Sequence, residues 1–214
     1  TQEDSLLELG SKVLGNTANA VLQLRNELQR EPIDKAIDLV MNAKRVEIFA
    51  VGNYASVAQD AQMKFLRLGI PCGAHTDPHL QHLVSKLVDH DTTTIFISSG
   101  GNLPELMDLQ NKVNELGSPV IAITANQSLL AKKADAALVA EHNEHATTHL
   151  PMISRVLHLL LIDILVVGLE MRLTDEGRKS KAMALVNKPE ASRTLPILGV
   201  RTATPIRPSI SHSQ

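Results

Sequence analysis

The 214-residue sequence has no Trp, one Tyr, three Phe and one Cys. Modules that bind single-stranded nucleic acid stack bases on exposed aromatic rings, so this composition excludes that class. A lone thiol, Cys72, excludes an internal disulfide framework and any multi-cysteine metal site. An excess of one charge is missing too. Against 21 Lys and Arg stand 23 Asp and Glu, a net charge of −2, which excludes capture of nucleic acid by bulk electrostatics. No basic start followed by an apolar core opens the chain, so no signal peptide is read. The longest apolar run, Leu150 to Leu173, contains Arg155, His158 and Asp163. The bilayer centre penalises a charged side chain by roughly 2.5–3.5 kcal/mol, so the run is read as a buried helix that closes a core or pairs with a second subunit. No membrane contact is expected, and the expected location is cytoplasmic.

What is present is a core. Hydrophobic residues make up 43% of the chain, and the length suits one full core with or without appendages. Leucines and valines recur at helical spacing from Leu6 to Leu28, and Pro32 is expected to break the helix, with Glu31 driven from helical angles. A second helix is predicted from Ile33 to Ala43. From Arg45 the texture changes to short apolar runs: RVEIFAVG, IPCGA, TTIFISSGG, PVIAITAN and DAALVAE. Helical stretches separate them, at Ser56 to Leu68, Pro78 to Leu87, Leu103 to Leu116 and Ser128 to Lys133. Strands of this kind are buried on both faces, which implies a parallel sheet covered by helices. The predicted fold is α/β: a three-layer α/β/α sandwich around a five-stranded parallel sheet of flavodoxin-like order, with N-terminal helices added. The expected organisation is linker or dimerisation helices over 1–43, the sandwich over 44–173 and a flexible tail over 174–214. The tail has four prolines and a charge of +4, leaving −6 on residues 1–172, and a short helix near Lys181 to Val186 is expected in it.

In such sheets ligands bind outside the carboxyl ends of the strands, where the strand order reverses. That points to the loops after the first and third strands, Gly52-Asn53-Tyr54-Ala55-Ser56 and Ser98-Ser99-Gly100-Gly101-Asn102. Both are small and polar and run into helices, whose free N–H groups and positive dipole suit an anion such as phosphate. The hydroxyls of Ser56, Ser98 and Ser99 add donors. Asn102 followed by Glu105 has the spacing of a capping box. GNYAS lacks the three glycines of a dinucleotide fingerprint and the P-loop lysine, so no nucleotide is assigned.

The segments AKRVEIFAVGNYASVAQDAQMKFLRLGIP, IFISSGGNLPEL, PVIAITANQSLLAKKAD and LPMISRVLHLLLIDIL, in that order, resemble the SIS (sugar isomerase) domain. The wider likeness, over about Leu6 to Arg172, is to the effector-binding half of RpiR-type bacterial regulators of hexose metabolism. The resemblance implies a sensor of a phosphorylated sugar or sugar acid that controls carbohydrate genes. The phosphate would be held by Ser56, Ser98 and Ser99 with Gly52, Asn53, Tyr54 and backbone from Gly100 to Asn102. The site would continue to Thr148, Met152 and Arg155. The resemblance further implies a homodimer or tetramer, with DNA contacted only through a helix-turn-helix domain that this chain lacks. Two departures stand out. Tyr54 replaces the second Gly of a G-x-G-x-S loop, and in S-x-S-G-x-T-x-E Gly100 and Leu103 replace a Ser and the Thr.

EHNEHATTH places His145 and His149 four apart, right for one helix face, but with neither HExxH nor a cysteine pair, so it is read as a polar loop. His75, His79 and His82 are read as an exposed helix start after Asp77. No metal and no cofactor are assigned. An aldose–ketose isomerase is the alternative function, with Glu141 and His145 as acid–base candidates. No catalytic residue is assigned, Glu105 being read as a cap and Cys72 as a core residue without an activating partner.

Overall fold

The computed structural model describes residues 6–140 and 152–175. Two helices, α1 (Leu6–Glu27) and α2 (Arg30–Asn42), precede the sheet. The break between them falls at Leu28–Gln29, not at Pro32. Pro32 lies in the first turn of α2, where its missing N–H has no intrahelical partner to lose, so Glu31 is helical.

The alternation then runs β1 (Arg45–Ala50), a single 3-10 turn at Gly52–Tyr54, α3 (Ala55–Arg67), β2 (Cys72–His75), α4 (Pro78–Val84) and β3 (Thr92–Ile97). It continues with α5 (Pro104–Glu115), β4 (Val120–Thr124), α6 (Leu129–Lys133), β5 (Ala136–Val139) and α7 (Met152–Asp175). All five predicted strands are present and parallel, in the order β2-β1-β3-β4-β5. Asp77 caps α4, accepting the Leu80 N–H at 2.9 Å, with Pro78 at the first helical position. That helix stops at Val84, short of the predicted Leu87.

The sheet separates two apolar layers. On one side Val46, Ile48 and Ala50 of β1 meet Ala58, Ala61 and Phe65 of α3 and Leu157, Leu161 and Leu165 of α7, with Leu24 and Ile37 from the N-terminal helices. On the other, Phe49, Phe96, Val120 and Ala122 meet Leu106, Leu109 and Val113 of α5 and Leu130 of α6. Each buried Val, Leu, Ile or Phe among them stabilises the fold by roughly 1.5–3 kcal/mol. Burial on both faces holds for β1, β3 and β4 but not for the edges: β2 is half-buried throughout and β5 alternates. Cys72 accordingly sits half-buried on the edge strand rather than deep in the core.

α7 is a packing helix. It lies against α1, α2 and α3 and leaves Val167 and Met171 as its exposed large apolar residues. Gly168 lets it approach α2, since a Cβ there would collide with Ile37. Among the described residues no helix is long and apolar enough to cross a membrane. α1 contrasts with it: Leu6, Leu7 and Leu14 are 89%, 80% and 73% exposed. The predicted tail from residue 176 onward, with the helix expected at Lys181 to Val186, lies outside the described residues. Thr174 and Asp175 still belong to α7.

Candidate functional site

Strand register brings the two predicted loops together. Ala50 at the end of β1 is paired with Ile97 at the end of β3, so the two chains leave the sheet side by side at the switch point. Neighbouring strands are about 4.8 Å apart, which places Gly52–Ser56 beside Ser98–Asn102.

The β3 exit is tied to the next unit of the fold. Ser98 N–H donates to Ile123 C=O (3.1 Å) and Ala125 N–H to Ser99 C=O (2.9 Å). Gly101 N–H donates to Ser98 Oγ (3.3 Å), and Gly101 C=O accepts from Leu130 N–H (3.1 Å). Ser98 is buried, yet its hydroxyl keeps one proton to give while it accepts from Gly101. Gly101 is buried at φ +61°, and a side chain there would collide with Thr124 Oγ1 and Ser128 Oγ. Ser99 is half-buried, and Gly100 and Asn102 are exposed.

The capping box read at Asn102 and Glu105 is not formed. Leu103 is the N-cap of α5 and makes no side-chain cap bond, because Pro104 occupies the first helical position and moves the helix start. The Asn102 side chain serves α6 instead, its Oδ1 accepting the Leu129 N–H at 3.1 Å. Ser128 is the cap that the sequence reading missed, accepting the Ala131 N–H at 3.1 Å.

The β1 exit is held differently. Gly52 (φ +58°), Asn53 and Ser56 are exposed, and Ser56 Oγ–H donates to Asn53 C=O (3.3 Å). Below them, buried Gln81 of α4 donates from Nε2 to Ala50 C=O (2.9 Å) and His75 C=O (2.7 Å), fixing the strand end. A Gln in the middle of an amphipathic run gave no signal of this role. Tyr54 turns inward rather than into the loop mouth, and its ring lies 5.1 Å from that of His158 on α7. His158 is fully buried, and among the described residues neither ring nitrogen has a hydrogen-bond partner. Burial pushes its imidazole down to about 4, so it is neutral. A buried donor or acceptor left unpaired costs about 1–3 kcal/mol. In the sequence His158 registered only as an interruption of an apolar run.

Arg155 stands exposed one turn before His158 on α7. Thr148 and the side chain of Met152 lie outside the described residues, as do Glu141, His142, His145 and His149. Of the other histidines, His75 Nε2 is 2.6 Å from Glu47 Oε2, linking the edge strand to β1. His82 is held below its ordinary value by Lys86 and Lys112, a field that also opposes a metal cation. Burial and Glu47 push the Cys72 thiol up to about 12, which leaves it protonated and a poor nucleophile.

A cavity of about 500 Å³ lies elsewhere, between the α1–α2 connection, β5 and α6, lined by Leu28, Ile33, Gln127, Val139 and Leu161. It is two strands away from β3 and holds none of the serines of the switch point.

Comparison with known proteins agrees with this layout. The SIS domain matches residues 39–168. The bifunctional protein glk of Burkholderia thailandensis is 43% identical over 169 residues, which is 79% of this chain and 26% of that protein. The HTH-type transcriptional regulator HexR of Pseudomonas aeruginosa is 30% identical over 161 residues, 75% of this chain and 56% of the regulator. The chain thus spans only part of the length of both relatives. Among solved structures, the sugar isomerase domain of an RpiR transcription factor from Sphaerobacter thermophilus has a TM-score of 0.75 at 21% identity, covering 85% of this chain and 99% of that one. The Vibrio vulnificus NanR protein complexed with ManNAc-6P also has a TM-score of 0.75, at 20% identity, covering 86% of this chain and 69% of that one. On the profile match, the strand order and the paired exit loops together, the chain belongs to the SIS domain family.

Proposed function

We propose that this chain is a sugar-phosphate-binding effector domain of a regulator of carbohydrate metabolism, with the phosphate seated between the β1 and β3 exits. The observation that carries the reading is the Ala50–Ile97 register, which sets two hydroxyl-bearing loops and the N-terminus of α3 around one point. Ser98 and Ser56 donate side-chain hydrogen bonds to the phosphate oxygens, Ser99, Gly100 and Gly101 line the rim, and Arg155 with Thr148 reads the sugar. Backbone donors of the β3 exit take over from the hydroxyls that Gly100 and Leu103 remove.

The relatives support a regulatory role. HexR is named as a transcriptional regulator, and NanR was solved with ManNAc-6P bound. A similar segment also occurs inside a protein named as bifunctional, of which it makes up about a quarter, 26% of the length. Binding without turnover is the proposed activity, and an aldose–ketose isomerase is the competing one, since phosphoheptose isomerase shares the fold. The exposed leucines of α1 are the proposed contact surface of a homodimer or tetramer, checked by sedimentation at micromolar concentration.

A thermal-shift screen tests the reading with glucose 6-phosphate, N-acetylmannosamine 6-phosphate, arabinose 5-phosphate and 2-keto-3-deoxy-6-phosphogluconate. At least one raises Tm and is recovered unchanged. A shift with none of them overturns the sensor, and conversion of a hit to its isomer replaces sensor with enzyme.

A further inference from the structure

His158 is a buried titratable side chain that the proposed site does not use. It is fully buried, its two ring nitrogens have no hydrogen-bond partner among the described residues, and its ring lies against Tyr54. A phenylalanine would fill this place without stranding a donor and an acceptor, so an imidazole here is explained by a second state in which it is paired.

The surroundings say which part gives way. α7 is fixed to α3: Lys64 of α3 bonds Asp163 of α7, and Leu157, Leu161 and Leu165 pack in the core. Tyr54 instead closes a single 3-10 turn whose first two residues, Gly52 and Asn53, are exposed, and a side chain added at Gly52 would meet open space. The exposed end of the turn is free of side-chain packing, and Tyr54, buried in the core cluster that includes Leu157 and Leu161 of α7, is the residue that would carry its motion to α7.

We propose that His158 is a positioning residue of the liganded state: as the β1 exit closes on a phosphosugar, Tyr54 shifts across the imidazole and a ring nitrogen of His158 gains a polar partner. Occupancy of the loops is thereby read by α7. This rests on the phosphosugar reading and adds to it a residue beneath the binding loops.

The test uses the wild-type chain and the variants His158→Phe and His158→Gln, titrated with the same four phosphosugars, together with nitrogen-15 spectra of the histidine rings. His158→Phe is expected to keep or raise Tm while weakening the binding phosphosugar about tenfold, the loss of one hydrogen bond. His158→Gln, which can still hydrogen-bond, is expected to restore most of that affinity. In the wild-type chain the ring nitrogens of His158 shift on saturation. Equal affinity in wild type and His158→Phe, or nitrogens that stay unshifted at saturation, overturns this role and leaves the phosphosugar reading standing. Absence of binding by the wild-type chain overturns both.

Discussion

The two exits from the switch point are built on opposite plans. The β3 exit is bonded at Ser98, Ser99, Gly101 and Asn102 to β4 and α6, and Gly101 is wedged where no side chain fits. The β1 exit has an exposed glycine and asparagine, a backbone clamp from Gln81 and one inward ring packed on a histidine that is unpaired among the described residues. The β3 exit is the more extensively bonded and the β1 exit the more exposed. In the proposed site the first would position the ligand and the second would report its presence.

Glycine substitution breaks the comparison most sharply. Gly101→Ala adds a collision with Thr124 and Ser128 to left-handed strain and is expected to cost about 3–5 kcal/mol. Gly52→Ala, at a similar φ but in open space, carries the strain alone, about 1–2 kcal/mol. Urea unfolding of both variants measures the difference, and equal costs contradict the contrast.

The histidine beneath the β1 exit gives the next effect. Above pH 6.5 the folded and unfolded chains both carry a neutral imidazole at position 158. As pH falls, the unfolded chain takes up a proton that the folded chain refuses until about 4. Stability is therefore full above pH 6.5 and is lost on acidification through that window, by about 3 kcal/mol. His158→Phe removes this part of the pH dependence, and identical stability–pH curves for the two proteins contradict the burial argument.

Gln81→Leu sharpens the account of what holds the β1 exit. It leaves two carbonyls without their donor and is expected to cost about 1–3 kcal/mol. Hydrogen exchange at Val51 to Asn53 accelerates if the clamp is real and stays unchanged if α4 merely fills space. Ser56→Ala should have the smallest effect on stability, within about 0.5 kcal/mol, because the hydroxyl is exposed and its bond to Asn53 is long. A larger loss of Tm would show that this loop is less adjustable than its exposure indicates.

The comparison also shows where sequence reading works. Short apolar runs between helical stretches identified every strand, though β2 and β5 have few β-branched residues, and the general behaviour of open parallel sheets put β1 beside β3. Both signals are local or rest on a rule of topology. What was not legible was decided by distant contacts. Asn102 and Glu105 have capping-box spacing, but Pro104 moves the helix start and Leu129 claims the amide. Pro32 looks like a breaker and is an early helical residue. Tyr54 sits in a polar loop by sequence yet turns into the core, because a histidine 104 positions later lies beneath it. Nothing near Gln81 signals that it will reach back to Ala50.

The central claim is that the two exits form one phosphate site, and calorimetric titration of the wild-type chain beside Ser98→Ala and Ser56→Ala tests it most directly. A hydrogen bond to a charged group contributes about 1.5–3 kcal/mol, so each variant is expected to bind a phosphosugar of the panel roughly 10- to 100-fold more weakly while still folding. Affinities equal to wild type in both variants would contradict the account.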